Sequence, residues 1–435
     1  MHSSRSTRAR WAATVTGAGL VAVLLAGCSS SGGGGSSGSD KNFTFLSINE
    51  NTTIPAVLTS LSKNQCSAEN KALPLKITKQ AQSTLDQQLQ LLAGQNALPT
   101  AFVSGNSPDL TNQLFKAGKI QDFSGTKAEK QIVPVALSGV HTLYDGKTIV
   151  LPTELNIEGI WYNKSLLKKN GVATPTDWTS LTAAFKTLKS AGVQPISAAG
   201  KGGDGWGVTR WVGAYLYREL GPDALTKVKS GDAKLTDPAY VKAADAIAAL
   251  GKAGDFGSSP SSVDYATAMN TFLTGKAAFY YMGSWAVSNF NDPKQNKIGA
   301  DNIGYIPFPT VPGGSGSADQ TPANVGTDIA VSASAYKGSA KVRNWVNCIA
   351  ANYGAVALKS AGQITGFTVN GTVDVPALTK QVQTQIADTK TSVQWLEALF
   401  PAGATTTSQS NGGLLGSGQL TGEQFMSTVS AKLTQ

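Results

Sequence analysis

Two apolar runs, Thr148 to Leu151 and Ile160 to Tyr162, flank a short polar stretch that begins at Pro152, and this arrangement limits most severely what the chain can become. Asp145-Gly146 precedes the first run, and such a pair tolerates positive φ, which predicts a tight hairpin. Thr148 to Leu151 reads as a buried strand that Pro152 ends, because proline offers no N–H to a ladder. Thr153, Glu154 and Asn156 then alternate with Leu155 and Ile157, so the backbone continues extended with one polar face. Ile160-Trp161-Tyr162 reads as a second buried strand, and Asn163 as the cap of a following helix. Two buried strands joined in this way read as one crossing between two domains, with the polar side chains facing whatever lies between them.

The flanking sequence alternates strand and helix patterns. Asn42 to Ile48, Leu73 to Thr78 and Thr100 to Val103 read as strands. Ile54, Val57, Leu58 and Leu61 mark one helix face, and Leu85, Leu89 and Leu92 another, stopped by Gly94. Alternation of this kind favours a doubly wound, mostly parallel sheet, whose ligands bind beyond the carboxyl ends of the strands. The loops Asn49-Glu50-Asn51 and Ser104-Gly105-Asn106 fall at such ends. Further on, Trp178 to Leu188 reads as a helix, Gln194 to Ala198 as a strand, and Gly200 to Gly207 as a glycine-rich loop holding Trp206. That loop lacks the spacing and terminal Lys-Ser/Thr of a phosphate-binding loop. Its tryptophan either covers a domain edge or meets a ligand. Ala277 to Met282 runs as an apolar strand into Gly283-Ser284-Trp285. Ile303 to Pro309 and Gly362 to Val369 are candidate second and third crossings. At 435 residues the chain exceeds one ordinary core, which agrees with two compact units.

The first ten residues carry Arg5, Arg8 and Arg10 and no acid, and an apolar run from Ala18 to Leu25 leads to Ala26-Gly27-Cys28. A basic start, a short apolar stretch and small residues are the pattern of an export signal, too short for a permanent span. Leu25-Ala26-Gly27-Cys28 resembles the bacterial lipobox, which makes Cys28 the expected lipidated residue after cleavage; a plain signal with an incidental cysteine is the alternative. Ser29 to Ser39 holds only serine and glycine, a flexible tether. Removing residues 1–27 takes the net charge from +9 to 9 − 3 = +6. The lysines are scattered without the aromatic-basic blocks that nucleic acid requires. Cys66 and Cys348 remain. In an exported chain an even pair reads as a disulfide, with two separate buried thiols as the alternative.

Asp145-Gly146-Lys147 with Leu151-Pro152 and Trp161-Tyr162-Asn163-Lys164 begin an ordered set of short matches. Pro175, Asp177-Trp178 and Ala191-Gly192-Val193 follow, then Gly275-Lys276-Ala277-Ala278 with Gly283-Ser284-Trp285. Pro307-Phe308-Pro309 and Ile329-Ala330-Val331-Ser332 complete it. With the lipobox, these resemble the extracellular solute-binding lipoproteins of carbohydrate ABC importers, the family 1 group that includes maltose-binding protein. The resemblance implies an α/β fold of the type II periplasmic-binding-protein kind: a two-lobed clamshell, each lobe a doubly wound mixed sheet flanked by helices, joined by hinge crossings. It implies a signal peptide over 1–27 and a tether over 28–39. One lobe would take 40–152 with 309–365, the other 153–308 with 366–435. Cys66 and Cys348 then fall in one lobe, where a bridge would not lock the hinge. The expected ligand residues carried over are Asn106, Asn156, Trp206 and Trp285, with Glu50, Arg210 and Asp328 as positional expectations. Asn156 departs from the acidic residue of maltose-binding protein at the hinge side. The implied partners are a carbohydrate, membrane permease subunits and a lipid anchor on the extracytoplasmic face, for a monomer with no cofactor and no metal.

Two other classes compete with this reading. A secreted glycan hydrolase needs two carboxylates at a set separation, and Glu154 and Glu158 lie on the same side of an extended segment. Such pairs are weakly specific, and outside the Ser/Gly tether no Gly-x-Ser-x-Gly elbow is present. Past residue 27 the single histidine is His141, so a histidine metal site or serine triad is poorly supplied. A peptide or polyamine receptor would want several convergent carboxylates, and the cleft loops offer Glu50, Asp204 and Asp328. A non-enzymatic sugar receptor remains the expectation.

Overall fold

The computed structural model of the chain describes residues 41–49, 51–81, 84–105, 108–389 and 391–433. The export signal and Cys28 lie outside them. Ten strands are named: β1 (Phe43–Ile48), β2 (Leu75–Gln80), β3 (Ala101–Val103), β4 (Asn156–Asn163), β5 (Gln194–Ser197), β6 (Ala277–Gly283), β7 (Ile303–Ile306), β8 (Gln320–Asn324), β9 (Ile329–Val331) and β10 (Thr391–Val393). Four form one sheet in the order β2-β1-β3-β9, parallel except for the β3–β9 pair. The others form a mixed sheet in the order β10-β8-β4-β6-β5, with β7 also paired to β4. Helices follow most strands, as the alternation of patterns predicts.

β4 organises the larger sheet. Asn156 and Ile157 pair with β8, Glu158 to Tyr162 with β6, and Ile160 to Asn163 with β7. Its apolar run lacks strict alternation because both faces are covered. Trp161 with Tyr280 and Met282 faces one buried cluster, while Ile160 with Phe279 and Tyr281 faces another containing Trp211 and Phe308. The first cluster also contains Phe43, Phe45, Phe102 and Trp345 around the smaller sheet. Asn163 caps the next helix by accepting from the Leu166 N–H. Asp177 opens the helix Trp178–Ser190 with a reciprocal capping box to Ser180.

Several local expectations change. Asp145 and Gly146 do adopt positive φ, at 51° and 76°, but they turn the chain off the helix Pro134–Leu143 and not between strands. Thr148 to Leu151 is fully buried yet forms no named strand; only Leu151 bridges, antiparallel to Ile329. The second strand begins at Asn156, four residues before the expected Ile160, because β8 extends its ladder. β8 falls within 309–365, the stretch expected in the first lobe, yet its hydrogen bonds are in the larger sheet. Trp206 is the first residue of a helix, Trp206–Leu220, that follows a 3-10 turn at Gly202–Gly205. Among the described residues no helix is long and apolar enough to cross a membrane.

Cys66 and Cys348 form a disulfide between the start of the helix Ser67–Ala72 and the long helix Ala340–Ala361. It closes a span of 282 residues. Closing so long a loop removes conformations from the unfolded chain, a contribution of about 2–4 kcal/mol. Cys66→Ser is therefore expected to lower the unfolding midpoint by several degrees. Reduction of the wild type should do the same, and intact mass should show two free thiols only after reduction.

Candidate functional site

Three segments run side by side where the chain passes between the sheets. Leu151 exchanges backbone hydrogen bonds with Ile329, the Gly366 N–H donates to the Pro152 carbonyl at 3.0 Å, and the Leu155 N–H donates to the Ile364 carbonyl at 3.1 Å. The Thr153 hydroxyl donates to the Thr327 carbonyl. Residues 151–155 are thus held between 327–329 and 364–366, and Glu154 lies in the middle segment.

From Glu154 a continuous polar chain extends along β4. Asn51 Nδ2 donates to Glu154 Oε1 at 3.3 Å, and Asn156 Nδ2 donates to Glu154 Oε2 at 3.3 Å. Asn51 is itself held by accepting from the Ile54 N–H at the start of the first helix. Asn156 Nδ2 also lies 3.4 Å from Asn324 Oδ1, and its Oδ1 accepts from Ser284 Oγ at 3.3 Å. Asn324 Nδ2 donates to Glu158 Oε1 at 2.8 Å, and Arg210 Nη1 pairs with that same oxygen at 3.4 Å. Glu154, Asn156 and Glu158 share one side, as alternation predicts. Asn156 and Glu158 are only 2% and 1% exposed. Burial raises the Glu158 carboxyl above its ordinary range, with Arg210 opposing. It raises Glu154 too, against donors that include Gln363, Asn156 and Asn51. Asp328 is raised well above its ordinary range, chiefly by burial and then by Glu154.

An aromatic group adjoins the chain. Trp206 packs edge to face against Trp285, ring centroids 6.0 Å apart, and lies 5.8 Å from Tyr265. Both tryptophans are half-buried. Glycine makes each placement possible. A Cβ on Gly283 would sit 1.8 Å from the Trp285 ring, and one on Gly205 would sit 1.8 Å from the Gln409 carbonyl oxygen. The helix Ala402–Gly416 therefore approaches the turn before Trp206 backbone to backbone. Arg210 lies one helical turn after Trp206, so the two share a face. Its guanidinium carbon is 5.8 Å from the Trp206 ring centroid and 5.1 Å from that of Trp395. Such cation–π placement, with the Glu158 pair, fixes the guanidinium plane. Two rings and an ion pair orient one arginine.

Of the residues expected at the site, Asn156, Trp206, Arg210 and Trp285 belong to this connected group. Asp328 is 4% exposed, and its Oδ1 has no hydrogen-bond partner among the described residues; Tyr144 and Glu154 face it. Glu50 and Asn106 lie outside the described residues. The structure adds Asn51, Tyr265, Ser284, Asn324, Glu158 and Trp395. Tyr265 carries the helix pattern of a core residue, and Trp395 sits where no periodicity singles it out. Asn324 meets Glu158 through the sheet order, and Arg210 reaches it from the helix Trp206–Leu220.

A family model described as bacterial extracellular solute-binding protein matches residues 75–356. An uncharacterized ABC transporter extracellular-binding protein of Pyrococcus horikoshii is 28% identical over 226 residues, 49% of this chain and 50% of the relative. The chain thus spans about half the length of that curated relative. A multiple sugar-binding protein of Streptococcus mutans is 26% identical over 318 residues, 68% of this chain and 69% of the relative. Among solved structures, a chitin oligosaccharide binding protein superimposes with a TM-score of 0.77 at 24% identity, covering 91% of this chain and 98% of that one. RafE in complex with raffinose gives a TM-score of 0.70 at 18% identity, covering 90% and 98%. These likenesses place the two mixed sheets in the type II periplasmic-binding-protein fold.

Proposed function

Since this chain belongs to the bacterial extracellular solute-binding protein family, we propose that it is the substrate-binding component of an ABC importer and captures a sugar or oligosaccharide between two lobes. The observation that carries this reading is the Trp206–Trp285–Tyr265 group abutting the polar chain from Glu154 to Arg210. A pyranose has an apolar C–H face and a rim of hydroxyls. Flat rings bury the face, and amide, carboxylate and guanidinium groups satisfy the rim. Trp206, Trp285, Asn156 and Arg210 take these roles, and Glu50, Asn106 and Asp328 complete the proposed ligand set.

The lobes are those of the family topology, 40–152 with 309–365 and 153–308 with 366–435, except that β8 goes with the second. Closure about the three adjacent segments would cover the ligand and present a changed surface to the permease. Glu158 is committed to Arg210 and Asn324, and Glu154 to two amide donors, so neither is set aside for hydrolysis. The protein acts as a receptor, not an enzyme. Export, a lipid on Cys28 and a monomeric state complete the reading. The relatives' names as sugar-binding proteins support the ligand class.

A thermal-shift panel of raffinose, chitin oligosaccharides, xylan-derived oligosaccharides, peptides and polyamines tests it. At least one sugar is expected to raise the melting temperature, by the mass-action term RT ln(1 + [L]/Kd). Stabilisation by peptides or polyamines alone would overturn the ligand class. Time-dependent loss of a glycan would revive catalysis.

A further inference from the structure

Glu154 occupies a place that the sugar-binding reading does not by itself explain. It sits in the middle of three adjacent crossing segments and accepts hydrogen bonds from Asn51, in the loop after β1, and from Asn156 at the start of β4. Gln363 and Thr327, from the other two segments, lie close enough to oppose the rise of its carboxyl. One carboxylate therefore ties both sheets and all three crossings together. The ionisable groups facing it are Asp328 just before β9, Tyr265 on the helix Tyr265–Leu273 and Tyr353 on the helix Ala340–Ala361. None of these three is a cation. A buried carboxylate facing a second buried carboxylate is costly to ionise unless one of the two carries a proton.

We propose that Glu154 is a proton-linked positioning residue, and that drawing the two lobes together around a ligand takes up a proton at this carboxyl. The inference rests on the capture reading above and deepens it. With Asn51 and Asn156 both engaged, Glu154 is only 9% exposed, and the proton removes its charge while leaving the oxygens to accept. When the loop carrying Asn51 moves away from β4, water reaches the carboxyl and the charged form is restored. The arrangement with both amides engaged is then favoured by acid.

The sign follows from burial, which raises the Glu154 carboxyl above its ordinary 4.5. Between 4.5 and the raised value the folded chain holds a proton that the unfolded chain has lost. The contribution of this group to stability is therefore full at and below its ordinary value and is lost as pH rises through the raised one. The same linkage makes ligand affinity fall as pH rises, because lobe approach buries the carboxyl.

The test uses the mature wild-type protein and the panel sugar giving the largest thermal shift. Titration calorimetry between pH 5.5 and 7.5, in buffers of different ionisation enthalpy, is expected to show uptake of up to one proton on binding. Kd should tighten on acidification by up to about tenfold per pH unit, the limit for one linked proton. Glu154→Gln keeps the size and an acceptor oxygen but cannot titrate, and its profile should be flat with neutral-pH affinity at least equal to wild type. A pH-independent wild-type Kd, proton release in place of uptake, or a slope surviving in Glu154→Gln would overturn the proposal. Should Glu154→Gln not fold, Asp328→Asn removes the facing carboxylate and is expected to move the slope to lower pH; an unmoved slope overturns it. A chain that binds none of the panel sugars overturns the capture reading and this one together, whereas binding with a flat profile overturns this one alone.

Discussion

Trp206→Ala and Trp285→Ala should each weaken sugar binding by about 2–3 kcal/mol, roughly 30- to 150-fold in Kd, the scale of an aromatic anchor removed from a binding site. The two rings touch each other, 6.0 Å between centroids, so their losses are not independent. The double variant should lose less than the sum of the two, because each ring also orients its neighbour. Both rings are half-buried at the mouth of the site, so folding should suffer less than binding. Calorimetric Kd values beside ligand-free melting curves separate the two effects. If both single variants keep wild-type affinity, the platform is elsewhere, and Tyr265 or Trp395 is the next ring to remove.

Arg210→Met should destabilise the fold outright, by about 3–5 kcal/mol, because it strands a buried carboxylate. Glu158 is 1% exposed and the Arg210 side chain 12%, so little water reaches the pair. Without the guanidinium, Glu158 keeps Asn324 but no counter-charge, and Glu397 remains nearby as a like charge. Adding Glu158→Gln should recover most of the loss, since the amide can still bond Asn324 and carries no charge. Acidification should narrow the deficit of Arg210→Met as Glu158 takes a proton, whereas the double variant should show no such recovery. Urea unfolding of the three proteins at pH 5 and pH 7 measures both. Equal stability of wild type and Arg210→Met would mean that the pair is not closed to water.

Much of the crossing was legible in residue order. Alternation puts Glu154, Asn156 and Glu158 on one side, where the polar chain is found. Asn163 caps the helix it was expected to cap. Where local reading failed, a partner distant in sequence intervened. β8 lengthens β4 back to Asn156, and the helix Ala402–Gly416 presses on the glycine turn and lets Trp206 begin a helix. Thr148 to Leu151 has the composition of a strand, but only Leu151 forms a β-bridge.

The amino-acid order by itself determined the alternating α/β pattern, the polar face of the crossing, the helix caps and the pairing partners available to two cysteines. These depend on neighbours within a few residues, or on the small number of candidates. The tertiary structure decided which carboxylate meets which cation, that Trp395 flanks Arg210 along with its helix neighbour Trp206, and how Asn51 comes to Glu154 from 103 residues away. Those contacts depend on sheet order and register, and nothing local encodes which distant strand lies alongside. Burial is set by the same packing, so the raised carboxyl of Glu154 belongs to the fold and not to the residue.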